Sequence, residues 1–127
     1  MDKVKQVFIT GGTSGIGAAI ARAFASTGAH VTATGATLAE VEAAQALPAN
    51  RLIAYQVLDV RQNEQMQKSL GEFTELDVLV NCAGIVQRGV EHDPEVFIKT
   101  VDINLNGTMR ACAAARAGLK ARQGCIV

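Results

Sequence analysis

Four glycines fall within eight residues directly after the first apolar segment of the chain. The stretch from Thr10 to Gly17 reads TGGTSGIG and follows the strand-like residues VFI. Glycine lets the backbone turn tightly, lets an anionic group approach without a Cβ in the way, and lets a helix pack closely on the preceding strand. A strand, such a loop and a helix in this order are typical of a parallel sheet that holds a pyrophosphate. The stretch therefore predicts a dinucleotide cradle, and a glycine-rich turn without a ligand is the alternative.

The rest of the chain alternates between β-type apolar runs and helical patterns. Thr37 and Glu40 have the spacing of a capping box, and Asp93 before Pro94 is a typical helix start. The spacing of Ile16, Ile20 and Phe24 predicts the apolar face of the first helix. The patterns predict strands at 4–10, 30–34, 51–60, 77–81 and 124–127, with helices from Ile16 to near Gly28, from Thr37 to just before Pro48, over 61–73 and from Asp93 onwards.

Alternation at this spacing predicts an α/β fold of the Rossmann type. Such a fold is a doubly wound parallel sheet with helices on both faces. The 127 residues suit one domain, spanning 1–127. Because 49% of the residues are hydrophobic and 19% are charged, the chain is typical of a globular domain and not of a disordered segment.

Charge and hydropathy exclude several functions. Twelve basic residues balance twelve acidic ones and there is no Trp, so nucleic-acid binding is not expected. The apolar runs are too short to span a membrane, and the N-terminus lacks the features of a signal peptide. Cys82, Cys112 and Cys125 lie far apart, which favours reduced thiols of a cytoplasmic protein over disulfides or a metal site. We interpret all three as small buried hydrophobic residues.

Four motifs in order resemble the short-chain dehydrogenase/reductase family. The first is Thr-Gly-x-x-x-Gly-x-Gly at 10–17, and the second is Asp59-Val60 after the third strand. The third is NCAG at 81–84 after the fourth strand, and the last is VDINLNGT at 101–108, which contains Asn104. The resemblance covers the whole chain.

The resemblance implies a nicotinamide coenzyme and a role for each matching position. It implies that Asp59 contacts the adenine ring, that 81–84 support the nicotinamide side, and that Asn104 belongs to the catalytic network by holding a lysine through a water. Asp59 could instead cap the next helix. We interpret Cys82 as a small residue without a redox role. The expected coenzyme-binding residues are Thr10, Gly11, Thr13, Ser14, Gly15, Ile16, Gly17, Gly35, Ala36, Asp59, Val60, Asn81, Ala83 and Gly84.

The choice between NADP and NAD depends on the end of the second strand. An acidic residue there binds the ribose 2′-hydroxyl, and a basic residue accepts a 2′-phosphate. This chain has Gly35, Ala36 and Thr37, and Ser14 fills the family's other basic position. Nothing in these residues repels a phosphate, so the sequence favours NADP slightly over NAD.

The family's catalytic Ser, Tyr and Lys are not found in this sequence. The single tyrosine, Tyr55, has Asp59 four residues later where lysine is needed, and it reads as a core residue of the third strand. We expect the triad beyond Val127, in a longer chain of which this is the coenzyme-binding half, cut in the fifth strand with an open apolar edge and inactive alone.

The function implied is hydride transfer between NAD(P) and a ketone or secondary alcohol. The expected substrate is a small molecule, as in 3-oxoacyl reductases or sugar and polyol dehydrogenases. The expected assembly is a homodimer or homotetramer. A non-catalytic dinucleotide-binding module, or an inactive fragment, is the alternative.

Overall fold

The computed structural model describes residues 2–127, which form strands and helices in strict alternation up to the fourth strand. The elements are β1 (Gln6–Thr10), α1 (Gly15–Ser26), β2 (His30–Gly35), α2 (Leu38–Gln45), a 3-10 turn (Pro48–Asn50), β3 (Ile53–Val57), α3 (Asn63–Gly71), β4 (Val78–Asn81), α4 (Pro94–Val101), a π-helical segment (Asp102–Asn106), α5 (Gly107–Arg122) and β5 (Cys125–Ile126).

The strands form one parallel sheet in the order β3-β2-β1-β4-β5. Val7 of the central strand β1 is in register with Val31 of β2 and with Val78 of β4. The chain builds outwards from β1 to β3 and then returns to the other side of β1 as β4. The sheet therefore has its topological switch between β1 and β4, where ligands of such sheets bind. The predicted Rossmann-type fold is confirmed.

Alternate residues of β1 contribute to two cores on opposite faces of the sheet. Val7 and Ile9 point to the layer that contains α1, and Phe8 points to the layer that contains α3 and α5. All three side chains are fully buried. Phe8 also meets Phe73 edge to face, with ring centroids 5.5 Å apart. The two-residue period of a strand thus supplies both layers from one short segment.

Helix α1 packs on the sheet through small residues. Its buried side chains are those of Ala18, Ala21 and Ala25, whereas Ile20 and Phe24 are only partly buried. Ile16, which the spacing groups with Ile20 and Phe24 on one face of the helix, is 77% exposed. Alanine side chains allow the helix axis to lie close to the strands. The face of α1 that packs on the sheet is therefore the one with the alanines, and not the one with the largest apolar residues.

The C-terminal strand is an exposed edge. Among residues 2–127, strand β5 pairs with β4 alone, and Cys125 is exposed, so its interpretation as a buried residue is wrong. Ile126 and Val127 are also exposed. Cys82 and Cys112 are half-buried. Several predicted bounds were also too wide, since β1 begins at Gln6 and β3 ends at Val57.

Two helix starts have the predicted capping. Thr37 Oγ1 accepts from the Glu40 N–H at 3.3 Å, and Glu40 Oε2 accepts from the Thr37 N–H at 3.0 Å. Asp93 accepts from the Glu95 N–H at 2.9 Å and so caps α4. The helical stretch that follows is not uniform, because a π-helical segment separates α4 from α5.

Candidate coenzyme-binding site

A cleft of about 480 Å³ opens at the carboxyl edge of the sheet, beside the topological switch. The loops after β1, β2, β3 and β4 all contribute to its wall. Its lining residues are Gly11, Thr13, Ser14, Ile16, Gly17, Gly35, Ala36, Glu40, Leu58, Asp59, Val60, Arg61, Cys82, Ala83, Gly84, Ile85, Gln87, Lys99 and Ile103.

Most of the residues expected to bind the coenzyme share this one wall. Thr10, Gly15 and Asn81 are the expected residues that do not line it. Thr10 is buried, and its Oγ1 accepts from the Ala83 N–H at 3.2 Å, which ties the end of β1 to the loop after β4. Asn81 Nδ2 lies 3.6 Å from Cys112 Sγ. Thr10 therefore does not line the cleft but holds Ala83, which does.

Two glycines bring the loop after β1 against its neighbours. Gly11 has φ +61°, and a Cβ there would lie 2.6 Å from the Cα of Ala83. A Cβ on Gly17 would overlap the carbonyl oxygen of Gly11. These glycines allow the first turn of α1, the loop and the end of β4 to approach more closely than any side chain permits.

Gly15 is different, because its surroundings are open. It has φ +56°, and no other heavy atom lies within 4 Å of the position that a Cβ would take. Gly15 is the first residue of α1, and its neighbours Ser14 and Ile16 both line the cleft. The loop thus leaves room at the start of this helix.

The N-terminus of α1 has no side-chain cap. Ser14 makes no capping hydrogen bond, and the first turn contains no acidic residue. The first backbone bond of the helix runs from the Ala18 N–H to the Ser14 carbonyl at 3.2 Å. The preceding N–H groups have no acceptor within the helix, and they carry the positive end of its dipole. By contrast, side chains cap both α2 and α4. The α1 terminus can therefore receive an anion from the cleft.

An ion pair fixes the loop after β3. Arg61 Nη2 donates to Asp59 Oδ2 at 2.7 Å, Arg61 Nε donates to both carboxylate oxygens, and the Arg61 N–H donates to Oδ1 at 3.0 Å. These hydrogen bonds lower the pKa of Asp59 against the opposing effect of burial. Because α3 begins only at Asn63 with Gln62 as its N-cap, the alternative that Asp59 caps that helix is wrong.

Asn104 lies behind the cleft wall, in the π-helical segment. Its Oδ1 accepts from the Ile85 N–H at 2.8 Å, and its Nδ2 donates to the Ile85 carbonyl at 2.9 Å. The residue itself does not line the cleft, but Ile85 does. Arg110 connects the same segment to the loop after β3, because it donates to Asp102 Oδ1 at 2.7 Å and to the Val60 carbonyl at 3.2 Å.

The sequence did not reveal several residues of the wall. Glu40 was assigned only a capping role, although it stands one turn after β2. Ile85, Gln87, Lys99 and Ile103 carry no motif of their own and reach the cleft only through the fold. Cys82 also lines the cleft, and burial raises the pKa of its thiol, which favours the neutral and unreactive form.

Residues 2–127 contain neither a cluster of metal-binding side chains nor a helix suited to span a membrane. No cluster of three His, Cys, Asp or Glu residues able to hold a metal ion occurs in this part of the chain. None of the helices in the same range combines the length and apolar character needed to cross a membrane.

Comparison with known proteins decides the family. The profile of the short chain dehydrogenase family matches residues 5–127. The chain belongs to this family. Among curated short-chain dehydrogenase relatives, 3-dehydrosphinganine reductase TSC10A of Arabidopsis thaliana is 36% identical over 95% of this chain and 39% of its own length. The 3-oxoacyl-[acyl-carrier-protein] reductase FabG of Chlamydia trachomatis is 35% identical over 97% of this chain and 54% of its own length.

A dehydrogenase of a polyol is similarly related. The D-threitol dehydrogenase of Mycolicibacterium smegmatis is 36% identical over 97% of this chain and 51% of its own length. This member of the short-chain dehydrogenase family thus spans roughly half or less of the length of the curated relatives that it matches.

Solved structures show the same fold. The crystal structure of gox2181 superposes with a TM-score of 0.84 and is 32% identical over 97% of this chain and 52% of that chain. The F189W actinorhodin polyketide ketoreductase, solved with NADPH, has a TM-score of 0.84 over 97% of this chain and 51% of its own, at 24% identity. At that identity the second structure supports the fold alone.

Proposed function

We propose that this chain is the coenzyme-binding part of an NAD(P)-dependent oxidoreductase that transfers hydride between the nicotinamide and a ketone or secondary alcohol. The observation that carries the proposal is the uncapped N-terminus of α1, which begins at Gly15 beside the cleft. A pyrophosphate supplies the anionic acceptors that these N–H groups lack. Relatives named as reductases and dehydrogenases support the reaction class.

The residues present fit a dinucleotide. The left-handed backbone of Gly15 and the open space around it suit the approach of a pyrophosphate, which a Cβ at this position obstructs. Asp59 and Val60 are proposed to contact the adenine ring, and Ala83 and Gly84 are proposed to contact the nicotinamide ribose. A bound coenzyme supplies or accepts the hydride. The chain's own residues bind and orient it.

Asn104 is proposed to position the nicotinamide side of the cleft. It holds the backbone of Ile85, so the loop after β4 keeps one conformation against the wall. The single tyrosine, Tyr55, lies on β3 and packs against the core cluster below α1, outside the cleft. We therefore assign proton transfer to residues of the whole protein other than Tyr55. The proposed substrate is a small carbonyl or alcohol compound of the 3-oxoacyl or polyol class.

Two glycine substitutions at opposite ends of α1 test the coenzyme site. Gly15 and Gly28 both have positive φ, and neither has a neighbouring atom within 4 Å of a Cβ. Replacement of either by Ala costs about 1 kcal/mol of backbone strain. Only Gly15→Ala is expected to weaken NAD(P) binding, by about tenfold or more, as measured by calorimetric titration of the purified protein. Equal coenzyme affinity in the two variants, or no coenzyme binding by the unmutated protein, contradicts the proposal.

Turnover separates an enzyme from the alternative module. The whole protein is expected to oxidise or reduce a nicotinamide coenzyme in the presence of 3-oxoacyl thioesters or polyols, followed by the absorbance of the reduced coenzyme. Coenzyme binding without turnover by the whole protein favours a non-catalytic dinucleotide-binding module.

We also propose self-association and a cytoplasmic location. Phe97 and Ile98 of α4, Leu105 of the π-helical segment and Met109 of α5 are large apolar side chains exposed along one continuous stretch. Covering them by a second copy removes this apolar surface from water, which supports a homodimer or homotetramer. Analytical ultracentrifugation tests the assembly. The three free thiols support a reducing compartment.

A further inference from the structure

We propose that Glu40 selects the coenzyme and that the protein prefers NAD over NADP. The inference rests on the proposed function, and it departs from the slight preference for NADP that the sequence favours. Glu40 is the acidic residue in the part of the cleft wall formed by Thr13, Gly35 and Ala36, which meet at the end of β2. That end of β2 is where the adenosine ribose of a dinucleotide lies in parallel sheets of this kind.

Position 35, the last residue of β2, has no room for an acidic side chain. A Cβ on Gly35 would lie 2.7 Å from Thr13 Cγ2 and 3.2 Å from Glu40 Cβ. The same two distances show that Thr13 and Glu40 flank Gly35 closely. A carboxylate is therefore excluded at position 35, and the first turn of α2 provides one beside it.

The capping box holds the Glu40 carboxylate in place. Its Oε2 accepts from the Thr37 N–H at 3.0 Å, while the backbone N–H of Glu40 donates to Thr37 Oγ1. Oε1 has no hydrogen bond among the residues described, so it remains able to accept a ribose 2′-hydroxyl. The same oxygen repels a doubly charged 2′-phosphate. One carboxylate thus favours the hydroxyl and disfavours the phosphate.

The cations of the cleft do not offset this charge. The guanidinium and the backbone N–H of Arg61 both donate hydrogen bonds to Asp59. If Arg61 bound a phosphate instead, the Asp59 carboxylate would lose its ion-pair partner. Lys99 belongs to α4 and lines the cleft together with the loop that follows β4, across the central strand from β2. The capping turn of α2 therefore decides the local charge at the end of β2.

The test compares Glu40→Gln with Glu42→Gln. Gln retains the length of the side chain and can still complete a capping box, so Glu40→Gln removes charge with little change in the helix start. Glu42 is exposed on the same helix and does not line the cleft, so its replacement is a matched control. Dissociation constants of NAD⁺ and NADP⁺ are measured by calorimetry for the purified protein and both variants.

The unmutated protein is expected to bind NAD⁺ more tightly, and Glu40→Gln is expected to reduce the preference by about threefold to tenfold. Glu42→Gln is expected to leave the ratio within about twofold. Because exposed charges are screened, added salt should shrink the preference of the unmutated protein but not that of Glu40→Gln.

Each other outcome overturns a specific claim. Tighter binding of NADP⁺, or a ratio that Glu40→Gln does not change, contradicts the role of Glu40 and leaves the proposed function standing. If Glu40→Gln and Glu42→Gln change the ratio of the two dissociation constants equally, the effect comes from the overall charge of the protein, and this result also contradicts the role of Glu40. If neither coenzyme binds, the proposed function fails and this inference fails with it.

Discussion

The side-chain amide of Asn104 and the backbone of Ile85 hold each other through two hydrogen bonds, with Ile85 N–H to Oδ1 at 2.8 Å and Nδ2 to the Ile85 carbonyl at 2.9 Å. The pair links the π-helical segment to a loop of the cleft wall. Gly84 permits this approach, since a Cβ there would lie 3.3 Å from Asn104 Oδ1. The loop that faces the nicotinamide side in our proposal is thus fixed from behind by one side chain.

Asn104→Ala removes both hydrogen bonds and is expected to loosen this loop. We expect faster hydrogen exchange of the Ile85 amide, weaker coenzyme binding and, in the whole protein, sharply slower turnover. Asn106→Ala, in the same segment, breaks only a bond to Asp102 and serves as the control. Unchanged exchange at Ile85 in Asn104→Ala would falsify the positioning role.

Gly17→Ala is expected to destabilise the fold and to impair coenzyme binding. The added Cβ overlaps the Gly11 carbonyl oxygen, which is backbone and cannot rotate away. Overpacking of this kind costs about 1–3 kcal/mol of the free energy of unfolding, measurable in urea. Gly71→Ala is the matched control at the end of α3, where no atom lies within 4 Å of a Cβ, and it should stabilise by up to about 1 kcal/mol. Equal effects of the two substitutions would contradict the packing argument.

Asp77 makes stability depend on pH. It accepts from the Gln6 N–H at 2.7 Å and from Arg122 Nε and Nη2, both at 3.1 Å. The hydrogen bonds from Arg122 are the main reason that its pKa is lowered, and burial opposes them. A carboxyl group with a lower pKa in the folded protein stabilises it above the unfolded pKa, and this contribution is lost as the pH falls through the folded value.

Asp77→Asn is therefore expected to lower the free energy of unfolding at about pH 7 by about 1 kcal/mol. Its difference from the unmutated protein should shrink as the pH falls below about 4. Urea denaturation at several pH values measures both effects. Asp2→Asn removes the same charge from an exposed position and should show neither. If the difference in the free energy of unfolding between Asp77→Asn and the unmutated protein does not decrease at low pH, ionised Asp77 is not the cause of the stabilisation.

Tyr55→Phe tests whether the single tyrosine has a chemical role. Its Oη is buried without a hydrogen-bond partner among residues 2–127, and burial raises the pKa of the phenol. Removal of an unsatisfied hydroxyl is expected to leave stability unchanged or to raise the free energy of unfolding by up to about 1 kcal/mol. Coenzyme binding and turnover should not change. A loss of turnover would overturn the placement of proton transfer elsewhere.

The sequence predicted what depends on local spacing. The strand–glycine loop–helix order, the capping box of Thr37 and Glu40 and the start at Asp93 are encoded in short stretches, and all are found in the structure. The ends of the strands were harder to predict, because apolar residues continue along the chain beyond the last residue that pairs with a neighbouring strand. Leu58 and Val60 are buried in the loop after β3 and extended the predicted strand.

Features that depend on how helices and strands pack together could not be predicted from the sequence. Periodicity identified Ile16 as apolar but could not show that alanines form the contact stripe of α1. The exposure of Cys125 follows from the position of β5 at the sheet edge. Glu40 could be identified as a cap, but its place in the cleft wall follows only from the close packing of Gly35 against Thr13.

The hydrogen bonds of Asp77 lie at the amino ends of β1 and β4, whereas the cleft lies at the carboxyl edge of the sheet. The hydrogen bonds of Asp77 are therefore spatially separate from the residues that line the cleft. Substitutions in the short stretches 36–40 and 85–87 reach the cleft wall without breaking a strand pair. A mutant library confined to these stretches samples new selectivities while the strand pairs beneath them remain intact.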